Sequence, residues 1–413
     1  MKATRTNQAR RPQCAVWIAL VSLSALLTVP AGCGHCAKPK EVRKAFAAEL
    51  TAVCEEYRFP GITAAYILPD GTVEGFATGF ADIEENTSMT VESRMLAASI
   101  GKTFVAATTL ALEHEGALRL DDPVSKWLGD RPWYARLPNH ETVTVRQLLA
   151  HRSGMPNHVE TAAFAEAFRT QWQALDEPFS AEQLIAFVLD QPALFPAGEG
   201  WRYSDTGYIL AGLVIEAAAG HTYYEEVSQR FLEPLSLSST TASDRVDLPG
   251  LAAGYLAEDN AFGLPKKTIT PSGSMAWNPV VEWTGGGLIS NPRDLVVWAK
   301  SLFEGDAFDG NYLDDLLKGL PIDDSEPHTR YGLGVAIHEE SRIGRSYGHG
   351  GWIPGYCSSL RYYPDYGIAV AFQINTDIGI VDSSAQVVEA IEIRLAQIVM
   401  DAQQEESKIE RSR

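Results

Sequence analysis

Strand-like segments stand at the two ends of this sequence, with a long helical region between them. The stretch "ITAAYILPDGTVEGFATGF" (62–80) has the pattern of two strands joined by a Pro-Asp-Gly turn, which predicts a β-hairpin. Near the other end, the segments "YGLGVAIHEE", "RSYGHGG", "SSLRYYPDYG" and "IAVAFQINT" predict further short strands, and a helix is predicted from about Ser383 to Gln403. Hairpins pair their strands antiparallel. We therefore expect both ends of the chain to enter one antiparallel sheet.

The middle of the chain is mostly helix and irregular loop. Proline and glycine interrupt the helical pattern from about residue 130 to 319, and no repeat or low-complexity linker divides the sequence. A further helix is predicted over 41–57, before the hairpin. These patterns predict an α+β fold: an antiparallel sheet flanked by helices, with an inserted, mainly helical region. We expect a single domain over 41–400, a cleft where the sheet and the insertion meet, and a polar tail over 401–413.

The amino-terminal residues have the pattern of an export signal. The first 32 residues hold four basic residues and no acidic one, and the apolar run Ala15–Val29 leads into the small-residue stretch "PAGCGHCA". Residues 1–36 are therefore predicted to be a signal peptide that is not part of the fold. The "AGC" that ends at Cys33 resembles a bacterial lipoprotein signal, although Pro30 stands where such signals normally have leucine. We expect an exported protein that is periplasmic, anchored through a lipid on Cys33, or secreted.

Charge and cysteine content exclude several classes of partner. The 413 residues carry a formal net charge of -19, which should repel nucleic acid and anionic lipid. Cys54 and Cys357 are the cysteines beyond the predicted signal, too few for a cysteine metal site, and we interpret them as separate buried thiols. The sequence shows no His-rich metal spacing, phosphate loop or dinucleotide fingerprint, so no metal or cofactor is predicted.

A serine and a lysine three residues apart open the apolar stretch "MLAASIGKTFVAATTLALEHEGAL" (95–118). A helix that begins at Ser99 holds Ser99 and Lys102 on one face, with the hydroxyl at the positive helix end. Serine becomes a good nucleophile only when a base takes its proton, and an uncharged lysine can be that base. Because the pair alone also fits a helix-capping serine and a solvated lysine, further motifs are needed.

Two later segments complete a pattern. Tyr203, Ser204 and Asp205 precede an apolar helix in "FPAGEGWRYSDTGYILAGLVIEAAAG", and "SYGHGGWIPGYCSSLRYYP" carries His349-Gly350-Gly351 on a predicted strand. With Ser-x-x-Lys these resemble the three ordered motifs of the serine beta-lactamase and penicillin-binding superfamily, in its class C beta-lactamase and D-alanyl-D-alanine carboxypeptidase branch. The flanking stretches "LRLDDPVSKWL", "VTVRQLLAHRSGMP" and "GGGLISNPRDLVVWAKSL" are similar too, and the resemblance covers about 41–399.

The resemblance implies a beta-lactamase/transpeptidase-like fold and a role for each motif. Ser99 is expected to form the acyl-enzyme, while Lys102 and Tyr203 move its proton and then activate water. The backbone N–H groups of Ser99 and Trp352 are expected to form the oxyanion hole.

The third motif is expected to contact substrate. Gly350 and Gly351 would remove side-chain bulk, so that substrate can lie along the strand edge. His349 would face a substrate carboxylate. Because imidazole is a weaker, pH-dependent cation than lysine, this histidine argues against efficient beta-lactamase activity.

Asp205 stands where the family commonly has asparagine. An ionised aspartate can only accept hydrogen bonds. It would either pair with Lys102, stabilise the ammonium form and shift the base role towards Tyr203, or receive a substrate amine and select a free-amino D-residue.

Three other features are interpreted as structural. His151 in "LLAHRSGMP" and the glycines of "GGGLIS" are assigned to loop structure. "GRSYG" (344–348) matches the Gly-x-Ser-x-Gly elbow of alpha/beta hydrolases, but Ser346 leads into a strand-like segment and not into a helix, so this match is interpreted as accidental.

The resulting hypothesis is an exported serine hydrolase that acts by acyl transfer on a small-molecule or peptide substrate, with peptidoglycan peptides as candidates. D-alanyl-D-alanine carboxypeptidase-like or D-amino-acid peptidase activity is the leading interpretation. A carboxylesterase or a weak class C-type beta-lactamase is the enzymatic alternative. An acylatable or silent peptide- or penicillin-binding protein is the alternative that is not an enzyme.

Overall fold

The computed structural model describes residues 38–322, 328–380 and 385–411. The predicted signal peptide over 1–36, including Cys33, lies outside these residues.

The regular elements of the described residues are eleven α-helices and twelve β-strands. The helices are α1 (Lys38–Tyr57), α2 (Gly101–His114), α3 (Ser125–Leu128), α4 (Val145–Leu149), α5 (Ala162–Gln171), α6 (Ala181–Ala186), α7 (Asp205–Ala219), α8 (Tyr223–Val227), α9 (Pro292–Glu304), α10 (Leu313–Leu316) and α11 (Ala385–Arg411). The strands are β1 (Gly61–Ile67), β2 (Val73–Asp82), β3 (Thr87–Ser88), β4 (Met95–Leu96), β5 (Thr241–Ala242), β6 (Leu288–Ser290), β7 (Leu320–Pro321), β8 (Thr329–Tyr331), β9 (Ala336–Ser341), β10 (Gly344–Ile353), β11 (Tyr356–Tyr363) and β12 (Ile368–Ile374).

The main sheet joins the two ends of the chain, as the sequence predicts. Its nine strands have the order β3-β2-β1-β12-β11-β10-β9-β8-β7, and all of their pairings are antiparallel. The predicted hairpin is β1 and β2, and β1 pairs with β12 in the register Ala64↔Phe372. A second sheet of three short strands has the order β4-β6-β5.

Helices cover both faces of the main sheet, so β1 and β12 are buried on both sides. On one face, α1 and α11 pack over alternate residues of these strands in a small core that includes Phe46, Phe372 and Leu395. On the other face lies a larger core, which includes Ala371 together with residues of α2, α7 and α9. The motif-bearing helices α2 and α7 therefore belong to the larger core.

Local sequence signals mark the ends of two helices between β4 and β7. Thr144 caps α4 with a capping box, because its hydroxyl accepts from Gln147 N–H while the Gln147 side chain accepts from Thr144 N–H. Ser204 caps α7, which ends at Gly220 in a left-handed conformation (φ 75°).

The last helix is longer than predicted. It runs to Arg411, beyond the predicted end near Gln403, so most of the stretch predicted as a polar tail is helical. Glutamate, glutamine and lysine favour helix even where no core supports it, and that propensity accounts for the difference.

Two smaller predictions can be checked against the fold. Cys54 and Cys357 are buried free thiols, which confirms that they do not pair. Ser346 is buried within β10, and no helix follows it, as expected for an accidental elbow match. Among the described residues, no helix has the length and apolar character that a membrane crossing requires.

Candidate active site

Ser99 lies in the turn that leads into α2. Residues Ala98–Ile100 form a 3-10 turn that continues directly as helix α2, and Ser99 is partly exposed. The preceding residue, Ala98, has φ 51°, a left-handed conformation that is unfavourable for alanine. Backbone strain of this kind next to a partly exposed serine is common at functional sites.

The Lys102 ammonium group contacts three oxygen atoms. The side chain is 0% exposed, and Nζ donates to Ser99 Oγ at 2.9 Å, to Asp205 Oδ1 at 2.6 Å and to the carbonyl oxygen of Gly285. An ammonium group has three N–H donors, and each has an acceptor here. Nζ also lies 4.9 Å from the centre of the Tyr203 ring, an attractive position for a cation. This geometry fits the charged form of Lys102.

Tyr203, two residues before the start of α7, also contacts Ser99. Its hydroxyl donates to Ser99 Oγ at 2.8 Å. Burial and the neighbouring Asp205 carboxylate raise the pKa of Tyr203 well above 10, so the phenol is uncharged at neutral pH. The Ser99 oxygen therefore accepts hydrogen bonds from both Lys102 and Tyr203, and both would stabilise negative charge that develops on it.

Asp205 anchors Lys102. Burial raises the pKa of this carboxyl, but the charge and hydrogen bond of Lys102, with smaller contributions from His158 and Asn157, lower it overall, so Asp205 is ionised. Asn157 Nδ2 donates to Asp205 Oδ2 at 3.4 Å, and Asn157 Oδ1 accepts from Asp205 N–H at 3.0 Å. Of the two roles considered from the sequence, the structure places Asp205 in the first, the pairing with Lys102.

His349 differs from its predicted role as a cation that faces substrate. The side chain is 6% exposed; Nε2 lies 2.8 Å from Tyr331 Oη, and Nδ1 contacts the carbonyl oxygen of Gly350. Burial, with a smaller contribution from the Lys102 charge, lowers the pKa of His349 to about 3. The imidazole is therefore uncharged and turned into the protein, because its hydrogen-bond partners lie there.

Gly350 and Gly351 differ in whether the surrounding structure leaves space for a side chain. A Cβ at Gly350 would have its nearest neighbour, the Ser358 carbonyl oxygen, at 3.8 Å, so that position is open. A Cβ at Gly351 would overlap the Ala97 carbonyl oxygen, and it is therefore packing next to Ser99 that requires this glycine. β9 pairs with β10 only as far as Gly348, so among the described strands residues 349–353 pair only with β11.

Trp352 follows on the same strand. Its side chain is 43% exposed, and its indole N–H donates to Asp377 Oδ2 at 3.3 Å. The proposed roles of the Ser99 and Trp352 backbone N–H groups in an oxyanion hole stay a prediction.

Two features that the sequence analysis assigned to loops contact the site. The Gly285 carbonyl of "GGGLIS" binds Lys102, as described above. His151 is 1% exposed, and its ring lies 4.1 Å from that of Tyr203, centre to centre. No local sequence signal indicates these contacts of His151, because they depend on the packing of distant segments.

Glu282 was also missed. Its Oε2 atom is buried without a hydrogen-bond partner, and burial raises its pKa to about 8; the Lys102 charge opposes this rise, and the Asp205 charge adds a smaller contribution to it. The group is therefore mostly uncharged at neutral pH and sits close to the charged pair.

A cavity of about 660 Å³ lies beside this cluster. Asn157, the partner of Asp205, lines it together with Trp201 and the ion-paired side chains of Arg202 and Glu160 (2.7 Å). Its size suits a small-molecule or short peptide ligand, and it adjoins the cluster through Asn157, whereas Ser99, Lys102 and Tyr203 do not line it. No group of three or more histidine, cysteine or acidic residues within the described ranges could hold a metal ion.

Comparison with known proteins places this geometry in a family. Penicillin-binding protein 4* of Bacillus subtilis (strain 168) is 26% identical over 307 residues, 72% of this chain and 64% of that protein. Protein flp of Staphylococcus aureus (strain MW2) is 23% identical over 72% of this chain and 56% of its own length. The chain thus spans less than two thirds of the length of these curated relatives.

Two solved structures match this chain over nearly their whole length. A D-stereospecific amidohydrolase from Streptomyces sp. has a TM-score of 0.69 and 28% identity, covering 85% of this chain and 97% of its own. A D-amino acid amidase from Ochrobactrum anthropi SV3, complexed with D-phenylalanine, has a TM-score of 0.71 and 24% identity, covering 87% and 99%, and supports the fold alone. The Beta-lactamase family model matches residues 42–391, and the chain therefore belongs to the Beta-lactamase family.

Proposed function

We propose that this protein is a serine hydrolase that forms an acyl-enzyme on Ser99 and cleaves amides of D-amino acids. The observation that carries the proposal is the position of Ser99 Oγ, 2.9 Å from Lys102 Nζ and 2.8 Å from Tyr203 Oη. Serine with two such partners is the arrangement that nucleophilic acyl transfer requires.

The chemical steps follow from these contacts. The Lys102–Tyr203 pair first loses one proton to solvent; Ser99 Oγ then attacks the substrate carbonyl carbon, and its proton passes to the vacant position on the pair. The tetrahedral intermediate then expels the amine, which takes a proton from the same pair, and the acyl group stays on Ser99. Water deprotonated by the pair releases the acid and regenerates the hydroxyl.

The uncharged state of the buried His349 side chain favours a substrate whose leaving group carries no charge. A carboxypeptidase must hold the free carboxylate of the departing residue, and the predicted partner for that carboxylate is a buried, uncharged imidazole. The three N–H donors of Lys102 are already occupied. The 28% identical Streptomyces protein is described as a D-stereospecific amidohydrolase, which agrees with an amide substrate. Simple esters also have uncharged leaving groups, and carboxylesterase activity is therefore the second candidate.

The test compares wild type with Ser99→Ala on four compounds: D-phenylalanine amide, its L-enantiomer, a peptide ending in D-alanyl-D-alanine, and a short-chain nitrophenyl ester. Product release is measured together with the intact mass of the protein, which reports acylation. We expect wild type to prefer the D-amide to the L-amide and to the peptide, and Ser99→Ala to be inactive. Preference for the peptide would favour the carboxypeptidase, and ester turnover alone would favour the esterase.

A fluorescent penicillin distinguishes the binding-protein alternative. Stoichiometric labelling of Ser99 without turnover of any of the four compounds would indicate an acylatable binding protein. Absence of both labelling and turnover in a folded sample would contradict the serine hydrolase proposal.

We also propose that the protein is exported. The support is the basic, apolar and small-residue pattern of residues 1–36, and Cys33 is the candidate lipid site. Amino-terminal sequencing and mass analysis of the protein from its native cell would test both statements. A mature chain that begins at a lipid-modified Cys33 is expected for an anchored protein, and an unprocessed amino terminus would contradict export.

A further inference from the structure

Three buried side chains behind the site form one continuous line of hydrogen bonds. Ser204 N–H donates to His151 Nδ1 at 3.1 Å, and His151 Nε2 lies 3.2 Å from Tyr331 Oη. Tyr331 Oη lies 2.8 Å from His349 Nε2, and His349 Nδ1 contacts the Gly350 carbonyl oxygen. The line therefore runs from the Tyr-Ser-Asp motif to the His-Gly-Gly motif.

The chemistry of the two ends determines the direction of every bond. A backbone N–H can only donate, so His151 Nδ1 is unprotonated and its proton is on Nε2, which donates to Tyr331 Oη. A carbonyl oxygen can only accept, so His349 Nδ1 carries a proton, and Nε2 of an uncharged His349 accepts from the Tyr331 hydroxyl. With both histidines uncharged, each donor has one acceptor. A second proton on His151 would face the Ser204 N–H, and a second proton on His349 would require the Tyr331 hydroxyl to turn its own proton away from His349, towards Tyr208.

Charges and burial around the two rings agree with this assignment. Burial, the Lys102 ammonium group and His349 lower the pKa of His151 well below 6.5. Burial, Lys102 and Arg361 lower the pKa of His349, against weaker opposing effects of its hydrogen bond to Gly350 and of Asp205. Both rings are therefore uncharged at neutral pH.

His151 contacts the Tyr203 ring and the backbone of both chain neighbours of Tyr203. Its backbone carbonyl accepts from Arg202 N–H at 3.0 Å and its Nδ1 accepts from Ser204 N–H, so that both chain neighbours of Tyr203 are bound to one residue. Its ring lies against the Tyr203 ring at 4.1 Å. His151 has φ 56°, a left-handed conformation that is costly for a residue with a side chain, and these contacts compensate for that cost.

We propose that His151, Tyr331 and His349 are positioning residues, and that their directional hydrogen-bond chain holds the Tyr203 hydroxyl at Ser99 and ties it to strand β10. The proposal rests on the proposed serine hydrolase function. It assigns to His349 the role of a hydrogen-bond acceptor from Tyr331 and donor to Gly350, in place of a substrate-binding cation.

The two roles of His349 make opposite predictions for two variants. In His349→Gln the side-chain amide can still accept from Tyr331 and donate to the Gly350 carbonyl, whereas in His349→Lys the ammonium group can only donate. If the chain positions Tyr203, His349→Gln keeps kcat for D-phenylalanine amide within about threefold of wild type, and His349→Lys loses about tenfold or more. A substrate-binding cation would give the reverse order, most clearly on a peptide with a free carboxylate, and that result would overturn the proposal.

Tyr331→Phe and His151→Gln extend the same test. Tyr331→Phe removes the hydroxyl that joins the two imidazoles, so kcat is expected to fall about tenfold with little change in KM. His151→Gln can still accept from Ser204 and donate to Tyr331, and is expected to lose less activity than His151→Leu. Equal losses in His151→Gln and His151→Leu, with Tyr331→Phe like wild type, would contradict the chain.

A measurement of protonation in the wild-type protein does not depend on activity. Nitrogen-15 NMR of histidine-labelled protein distinguishes the two tautomers, and signals missing from His151→Gln and His349→Gln assign the two rings. Between about pH 6 and 9 we expect His151 to be protonated only on Nε2 and His349 only on Nδ1. A His349 ring protonated on Nε2, or doubly protonated at pH 7, would overturn the proposal.

Because a fluorophosphonate labels active serines whatever the natural substrate, labelling of Ser99 by this probe separates failure of the hydrogen-bond chain from failure of the proposed substrate class.

Discussion

At the residue scale, the protonation state that catalysis requires is a property of a cluster and not of one side chain. The cluster consists of Ser99, Lys102, Tyr203 and Asp205. Lys102 fits its charged form and Tyr203 its uncharged form, and both donate to Ser99 Oγ. The reactive state is reached when this cluster loses one proton, wherever that proton leaves from. Asp205 opposes the loss, because its negative charge stabilises the Lys102 ammonium group and raises the pKa of Tyr203.

Replacement of Asp205 by asparagine is therefore predicted to move the pH profile. Without the negative charge the cluster gives up its proton at lower pH, so the acid limb of kcat/KM should shift down by about one to two pH units. The measurement is kcat/KM for D-phenylalanine amide between about pH 5 and 10 in wild type and Asp205→Asn.

Asn157→Asp is a matched control, because it adds a negative charge next to the same carboxylate. It is expected to shift the acid limb in the opposite direction, to higher pH. An unchanged acid limb in Asp205→Asn would show that Asp205 does not control the proton of this cluster. If the loss of rate in that variant were confined to substrates with a free amine, the second role considered for Asp205, as receptor of a substrate amine, would be supported instead.

The sequence could reveal the residues whose spacing carries chemistry, but not those defined by burial. Ser99, Lys102 and Tyr203 stand in a recognisable order, and the structure brings them into contact. Glu282 and His151 carry no local signal, because the raised pKa of one and the lowered pKa of the other come mainly from burial by segments far away in the sequence. The charge of His349 could not be predicted from the sequence for the same reason: a motif gives the residue type, whereas burial and hydrogen-bond partners decide the charge.

At the element scale, the approach of strand β10 to the turn that bears Ser99 decides whether the site is assembled. Gly351 lies against Ala97 and Ala98, and the Ser358 hydroxyl donates to the Ala97 carbonyl oxygen at 2.8 Å. The sequence predicted both glycines to face substrate. Only the packed strand shows that they differ, since Gly351 lies against Ser358 of the neighbouring strand and against a segment about 250 residues earlier in the chain.

Gly351→Ala is predicted to separate these two elements. The new Cβ would overlap the Ala97 carbonyl oxygen and push the Ser99 turn away from β10, and a displacement of about 1 Å can reduce kcat/KM by about 100-fold. Gly350→Ala is the adjacent control, because its Cβ would have space and the free energy of unfolding should stay close to that of wild type. The measurement combines kcat/KM with denaturant unfolding of both variants. Equal behaviour of the two variants would contradict the packing explanation.

At the scale of the whole molecule, the class of fold could be predicted from the sequence more accurately than the ends of its elements. Alternating segments at both ends of the chain predicted an antiparallel sheet, and the pairing of β1 with β12 confirms it. The order of the nine strands and the division into two cores depend on contacts over long sequence distances, which periodicity does not encode. The end of α11 was placed too early, because its last turns lack an apolar stripe and form by propensity.

The two cores imply that stability and catalysis can be changed separately. Leu395 is 0% exposed in the small core between α1, α11 and the sheet, whereas the Ser99 turn belongs to the larger core on the opposite face. Leu395→Ala removes buried methyl groups and should lower the free energy of unfolding by about 2–5 kcal/mol. Glu389→Ala, at an exposed position of the same helix, is the control and should stay within about 0.5 kcal/mol of wild type.

The activity of the same two variants shows whether catalysis depends on the small core. Below the unfolding transition of Leu395→Ala, its kcat/KM should equal that of wild type, because the sheet separates the new cavity from Ser99, Lys102 and Tyr203. A thermal melt gives the temperature limit for this comparison, and active-site titration with a fluorophosphonate corrects for any unfolded fraction. Loss of kcat/KM per titrated site in Leu395→Ala would show that packing on the far face of the sheet sets the geometry at Ser99, and that the two cores act as one unit.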